Sequence, residues 1–510
     1  PVSGSVAILA QAKLENLYRV DSSRSSHYFV LAAIRAMSQP GGKTSARQDA
    51  LAGGKIHVIK VGTSTLLTND EVGGQQVSLS NISRLVELIA SLRKSGDHVV
   101  LVSSGAVGMG CLKLGLSQRP TGPGVKQALA AAGQSRLMRV YEDLFSVVGV
   151  NVAQLLISRD DFSDKARFLA VRNTFWALLR LGVVPIVNEN DSLSAEHVAN
   201  FGDNDTMAAM TAVLLQADWV FLATDVDFLY TANPKEDPNA TPIYAVEDLS
   251  RLKLAGLESS SSQWGTGGMA TKIIAARIAV CAGVHCGLVN GEEPERIGQM
   301  IRGKKEGGTH FVALKGCASA AQDDHNRWII TLPPSGSLSL DRDGYDAVLT
   351  HHKIRTGMVL KCSGEFHQDE AVALFFDGKE IARALVRMSS AAITEEMTRS
   401  MVGLRDFTRE LQSAGIYLDG YSSWRKGGHK GASGEMNAEV LRQLEQVGGV
   451  IKSDTPESSG HQSSVLMDGS DIALMCTATI KEADRKASSD KRVWSGSYPQ
   501  VKRGETPSGL

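Results

Sequence analysis

The sequence predicts an α/β fold: a three-layer αβα sandwich around a mostly parallel central sheet, followed by a small β-rich domain. Three observations carry that prediction. From Lys55 to about Gly308, short apolar runs alternate with segments of helical period. The apolar runs lack a polar face, as strands covered by helices on both sides require. After Gly308 the alternation stops, and β-branched runs separated by Gly- and Asp-bearing turns take over.

Taken in order, residues 1–54 are rich in Ser, Ala and Gly and read as a mobile N-terminal extension. Their basic excess leaves a transit peptide open. GGKTS (Gly41 to Ser45) imitates a phosphate loop, but the place of its first glycine is held by Met37 and no strand precedes it. KIHVIKVGTSTLL opens the first strand. Ser78 to Gly96 is a helix with a Ser start and a Gly stop. His98 to Gly110 is a strand feeding a small-residue turn, Val125 to Val148 a helix, and VNVAQLLIS a strand. Arg167 to Leu181 is a helix, GVVPIVNEND a strand and loop, and Asp205 to Gln216 a helix. WVFLATDVDFL (Trp219 to Leu229) carries a strand ending in Thr224 and Asp225, Met269 to Ala282 is a helix, and VHCGLVNG the last strand.

The main α/β domain is therefore placed at 55–312. A small β domain is placed at 325–400, on the runs WIITL, VLKCSG, AVALFF and EIARALV. Residues 401–510 read as a polar, partly disordered tail with helical pieces at Asp406 to Ala414 and Ala438 to Val447. With 510 residues the chain is long enough for this division. Its 54 basic and 55 acidic residues nearly cancel, which argues against nucleic acid or a membrane surface as the main partner. No apolar run approaches the roughly 20 residues of a membrane helix. Six scattered cysteines without a C-x-x-C pair suit a reduced, cytoplasmic setting and point to no metal site, Cys281 and Cys286 reading as core thiols.

The chemistry concentrates in Asn188 to Asp205, NENDSLSAEHVANFGDND, which lies between a strand and a helix. A turn needs one or two Asx or Gly residues. Asp191, Asp203, Asn204 and Asp205 exceed that, at the strand end where α/β sheets bind ligands. KVGTS (Lys60 to Ser64) adds a lysine beside a Gly turn whose N–H groups can hold phosphate. SSGAVG (Ser103 to Gly108) offers hydroxyls and close backbone approach, without the G-x-S-x-G or partner pattern of a nucleophilic serine. GTGGMATK (Gly265 to Lys272) runs a glycine loop into a helix whose first turn carries Lys272, an anion site by construction.

Two lysines, glycine loops and acidic groups are what phosphoryl transfer asks for, because its catalysis is positioning and cationic stabilisation. A carboxylate acceptor, with a pKa near roughly 4, is already ionised at neutral pH and needs no general base.

KVGTS, VSSGAVGMG, KQALAAAGQSRLM, NENDSL, FGDND, ATDVDFLYTANP and GTGGMATK resemble, in this order, the glutamate 5-kinase family of the amino acid kinase superfamily, from Lys55 to Phe311. Asn326 to Ile393 is similar to the PUA domain that many members carry. The resemblance implies the amino acid kinase fold and ATP-dependent phosphorylation of L-glutamate to L-glutamyl 5-phosphate, the first step of proline synthesis. It implies that Lys60 and Lys272 face the transferring phosphoryl group, with Asp205 orienting both and Asp203 supporting that network or Mg²⁺. Ser104, Asp191 and Asn204 would bind glutamate, with Asp191 toward its ammonium group. Thr224 and Asp225 would lie beside the nucleotide, while Thr266, Gly267, Gly268, Met269, Ala270, Thr271 and Lys272 wrap its phosphates. Proline as a feedback inhibitor and a dimer or tetramer are further family expectations. The stretch SLSAEHVANFG is longer than in bacterial relatives, where the family recognises glutamate and proline.

Two other readings compete. Another amino acid kinase, acting on N-acetylglutamate, aspartate or carbamate, would share the lysines and differ around Asp191 and Asn204. An RNA-binding role for the small domain would rest on Arg327, Lys353, Arg355 and Lys361. These are interspersed with acids and lack an aromatic stacking set, so they read as surface charge.

Overall fold

The structure, a computed structural model, describes residues 53–69, 75–116, 120–193, 204–249, 252, 268–313, 324–350, 352–399, 465–468 and 471–475. The central sheet has eight strands. Its core strands are β1 (Ile56–Val61), β2 (His98–Ser103), β3 (Val152–Ile157), β4 (Val184–Glu189), β5 (Trp219–Thr224) and β6 (His285–Asn290). β7 (Thr309–Phe311) and the short strand Ala245–Val246 complete one edge. The spatial order is Ala245–Val246, β7, β6, β5, β1, β2, β4, β3, and only the β6–β7 pair is antiparallel.

The layers follow from alternation along each strand. Ile56, Val58, Val100, Val102, Val220 and Leu222 face one side, with α4 (Lys165–Arg180), α5 (Asn204–Leu215) and α6 (Met269–Cys281) packed on them. Ile59, Val61, Val99, Leu101, Phe221 and Ala223 face the other, under α1 (Leu79–Lys94), α3 (Pro123–Val147) and α7 (Glu295–Ile301). The three-layer sandwich and its mostly parallel sheet are those the sequence predicts. Because β1 is central, with β2 on one side and the later β5 on the other, the strand order reverses there. The crevice at the carboxyl ends of β1, β2, β4 and β5 is the expected ligand position.

Several elements depart from the sequence reading. The small-residue turn after β2 is wound into α2 (Ala106–Lys113). The strand begun at Trp219 does end at Thr224, as read, and Leu229–Tyr230 forms a separate two-residue strand. WIITL is not a strand: its Trp328–Thr331 form the last turn of α8 (Asp324–Thr331). A five-residue apolar run does not distinguish helix from strand, and here Ile329 and Ile330 are buried in the α4–α6 core. Trp328 donates its indole N–H to the Phe162 carbonyl at 2.9 Å, so α8 is tied to the main domain.

The small domain is a mixed five-stranded sheet. Its strands are β8 (Gly336–Leu340), β9 (Val359–Ser363), β10 (Ala371–Phe376), β11 (Lys379–Leu385) and β12 (Ile472–Leu474), in the order β9, β8, β10, β11, β12. Thus residues read as polar tail close this sheet, and Val465–Met467 pairs with Ile354–Arg355. The two helical pieces expected within 401–464 lie outside the described residues. Arg327 is buried and pairs with Asp324 at 3.3 Å, and Lys353 sits 3.9 Å from Asp468. Neither arrangement makes a free basic face.

Four histidines gather at the opposite, amino-terminal end of the sheet. His57 and His98 lie on β1 and β2, and His285 and His310 on β6 and β7. His285 Nδ1 is 3.1 Å from His310 Nε2, and both rings pack on Trp219. Burial pushes all four below the ordinary histidine range, His310 to about 4, where neighbouring His285 adds to the shift. A lowered folded-state pKa means the unfolded chain binds more protons once pH drops below about 6.5. Stability is therefore full above that value and declines from it toward about 4 as these rings are required to stay neutral. For the partly exposed His310 the loss should be on the order of 1 kcal/mol after solvent screening. Urea unfolding at pH 7.5 and 5.2 should show it, and His310→Gln should flatten the slope. An unchanged slope in that variant would exclude His310 as a source.

Candidate functional site

Alternation places Lys60, like Val58, on the α5–α6 side of β1. Its Nζ lies 2.5 Å from Oδ1 of Asp205. Asp205 sits in the first turn of α5 and is wholly buried; its Oδ2 accepts from Nζ of Lys272, in the first turn of α6, at 3.1 Å. Helices α5 and α6 lie side by side on one face of the sheet with their amino ends at the carboxyl edge of the strands. That is why residues far apart in sequence share one carboxylate. Both lysines are 7% exposed. The two ammonium groups and the carboxylate they share lie beside two helix N-termini, a setting that favours an anion.

Beside it, Gly105 (φ +96°) turns the chain from β2 into α2, a left-handed conformation that glycine adopts without strain. This turn presents Ser104. Asn204, the neighbour of Asp205, donates through Nδ2 to the Ser103 carbonyl and to Ser104 Oγ, both at 2.9 Å. Asn188, buried at the end of β4, has its Oδ1 3.3 Å from the same Nδ2. Asp191 follows in the short turn Asp191–Leu193, partly buried and against α3. The structure thus joins Ser104 to Asn204 directly and places Asp191 on the same edge.

On the β5 side, Thr224 is buried and donates through its hydroxyl to Asp225 Oδ1 at 2.9 Å, while Asp225 is exposed. The Thr224 carbonyl accepts from Gly291 N at 2.7 Å. A Cβ on Gly291 would stand 2.1 Å from Thr65 Oγ1, so the Thr65 side chain packs directly on the backbone just after β6. Gly268 caps α6 and accepts from Thr271 Oγ1 at 2.7 Å; Met269 is partly buried and Ala270 exposed. Asp203, Thr266 and Gly267 lie outside the described residues, as does the long stretch at 194–203.

Sequence reasoning passed over three residues. Asn188 was inside a recognised motif but read as loop. Gln134, on α3, accepts from Asn188 Nδ2 at 2.8 Å. It stands inside the motif KQALAAAGQSRLM and is a polar side chain on the inward stripe of a helix, and those were the signals that could have found it. Asp227, held by Asn290 at 2.9 Å and Arg296 at 3.3 Å, was also unremarked. Burial, with the Asp205 carboxylate adding to it, pushes the Cys286 thiol up, so that group is no nucleophile. Among the described residues no helix is long and apolar enough to cross a membrane.

The description of the amino acid kinase family matches residues 55–290. A glutamate 5-kinase of Trichormus variabilis is 47% identical over 341 residues, covering 66% of this chain and 90% of that protein. The glutamate 5-kinase of Acaryochloris marina is 45% identical over 339 residues, covering 65% and 89%. That of Synechococcus elongatus is 46% identical over 336 residues, again 65% and 89%. These alignments are longer than the span 55–290, so the likeness continues beyond it. Among solved structures, the carbamate kinase of Giardia lamblia bound to AMP-PNP is 19% identical, covering 52% of this chain and all of that one, with a TM-score of 0.39.

Proposed function

The chain belongs to the glutamate 5-kinase family of amino acid kinases, and from that premise we propose that it transfers the γ-phosphoryl group of ATP to the side-chain carboxylate of L-glutamate. The product is L-glutamyl 5-phosphate, the first intermediate of proline synthesis. The observation that carries this reading is the buried Lys60–Asp205–Lys272 arrangement, 2.5 and 3.1 Å across its two contacts.

A glutamate carboxylate oxygen attacks the γ-phosphorus in line. The new O–P bond forms as the bond to the β,γ-bridging oxygen breaks, and ADP leaves with that electron pair. The nucleophile is already ionised, so no side chain takes a proton. Lys60 and Lys272 supply charge where the equatorial oxygens gain it, and Asp205 holds both in place without reorganisation. Ser104, Asn204 and Asp191 hold glutamate, its ammonium group toward Asp191. Thr224, Asp225 and the 266–272 segment hold the nucleotide. ATP brings Mg²⁺ on its phosphates. Asp203 would support Mg²⁺ or the lysine network there, and Lys60 and Lys272 are the two cations that meet at Asp205. Inhibition by proline and assembly into dimers or tetramers belong to the same reading, as does a PUA-like character for the small domain.

An assay of the purified protein with ATP, Mg²⁺ and hydroxylamine tests it. L-Glutamate should give γ-glutamyl hydroxamate, with aspartate, N-acetylglutamate and carbamate far behind. Product from one of those acceptors and none from glutamate would move the chain to another acceptor class.

A further inference from the structure

We infer that Gln134 is a positioning residue for the acceptor site, fixing the polarity of an amide relay that ends at Ser104. The inference rests on the glutamate kinase reading. Its starting point is how tightly α3 is seated. At Gly133 a Cβ would lie 1.9 Å from the Ala106 carbonyl and 2.3 Å from Gly110 N. The backbones of α2 and α3 therefore touch at this point, which sets the depth at which the next side chain, Gln134, enters.

From there the hydrogen bonds run one way. Gln134 Oε1 accepts from Asn188 Nδ2 at 2.8 Å. Asn188 Oδ1 accepts from the backbone N–H of Glu189 at 2.9 Å and faces Asn204 Nδ2 at 3.3 Å. Asn204 Nδ2 reaches Ser104 Oγ and the Ser103 carbonyl, each at 2.9 Å. A carboxamide has nearly the same shape after a half-turn that exchanges its O and N. For Asn188 that turn would aim NH₂ at two donors, Glu189 N–H and the Asn204 amide. Gln134 Oε1 holds Asn188 against it and so keeps Asn204 on Ser104.

A second observation separates this role from packing. Gln134 Nε2 is buried with no hydrogen-bond partner among the described residues. Leaving a donor so placed costs stability, and an apolar side chain of similar length would spare the fold that cost. The residue is accounted for by what its oxygen does at Asn188. Because its free amide nitrogen is sealed from solvent, Gln134 acts on the acceptor through Asn188 and Asn204.

Gln134→Met keeps the length and removes the acceptor. The KM for glutamate should rise about tenfold, the size of one lost buried hydrogen bond. The KM for ATP should stay within about twofold, and the melting temperature should not fall, since the orphaned donor goes too. In an Asn188→Ala background the same change should add less than about twofold, because the relay is already broken. A glutamate KM within about twofold of wild type in the single variant overturns the proposal. So does a rise in both KM values with a lower melting temperature, which marks general damage. Wild-type protein that phosphorylates no glutamate would instead overturn the reading of function on which the proposal rests.

Discussion

Replacing Lys272 by alanine lowers turnover by about two to three orders of magnitude while the chain stays folded. That factor is what one preorganised donor to developing charge contributes elsewhere. Lys272 is suited to it because its ammonium is buried, sits in the first turn of α6 and is anchored at 3.1 Å on Asp205. Stability should change little, since Asp205 still has Lys60 at 2.5 Å and no buried charge is abandoned. The KM for glutamate should barely move, because the lost contact belongs to the transition state. Turnover within about tenfold of wild type would remove Lys272 from the chemistry.

Asp205→Asn should combine a comparable loss of turnover with a loss of stability. This substitution keeps the side chain's shape and removes the one carboxylate shared by two buried ammonium groups. Abandoning a buried charge costs about 3–5 kcal/mol, and here both lysines lose the carboxylate they share. The two variants thus differ in kind: one removes a cation and leaves Lys60 paired with Asp205, the other takes the shared carboxylate away from both lysines. Saturating ATP should restore more stability to the Asp205 variant than to wild type, because the phosphates return negative charge to the lysines. Thermal melts with and without ATP read this directly. A midpoint equal to wild type in the absence of ATP would show that Asp205 is not what neutralises Lys60 and Lys272.

Much of the fold was legible because it is written in local patterns. Runs such as HVVLV and PIV are apolar on both faces, and helices such as 79–94 carry their own start and stop residues. Segments whose state depends on distant partners were not legible. WIITL became helical because Ile329 and Ile330 are covered by the α4–α6 face rather than by a sheet. Ile472–Leu474 became a strand because β11 offered an open edge.

By itself the sequence determined the αβα layering, the residue types at each strand end, and hence the class of chemistry, since periodicity and motif are properties of short windows. Only the tertiary structure decided which of these groups meet. Lys60 and Lys272 share one carboxylate because α5 and α6 start at the same edge of a sheet whose strand order reverses at β1. Gln134 reaches Asn188 because two glycines let α2 and α3 touch. Distances between residues so far apart in sequence are set by packing of whole elements, and no local window of the chain contains them.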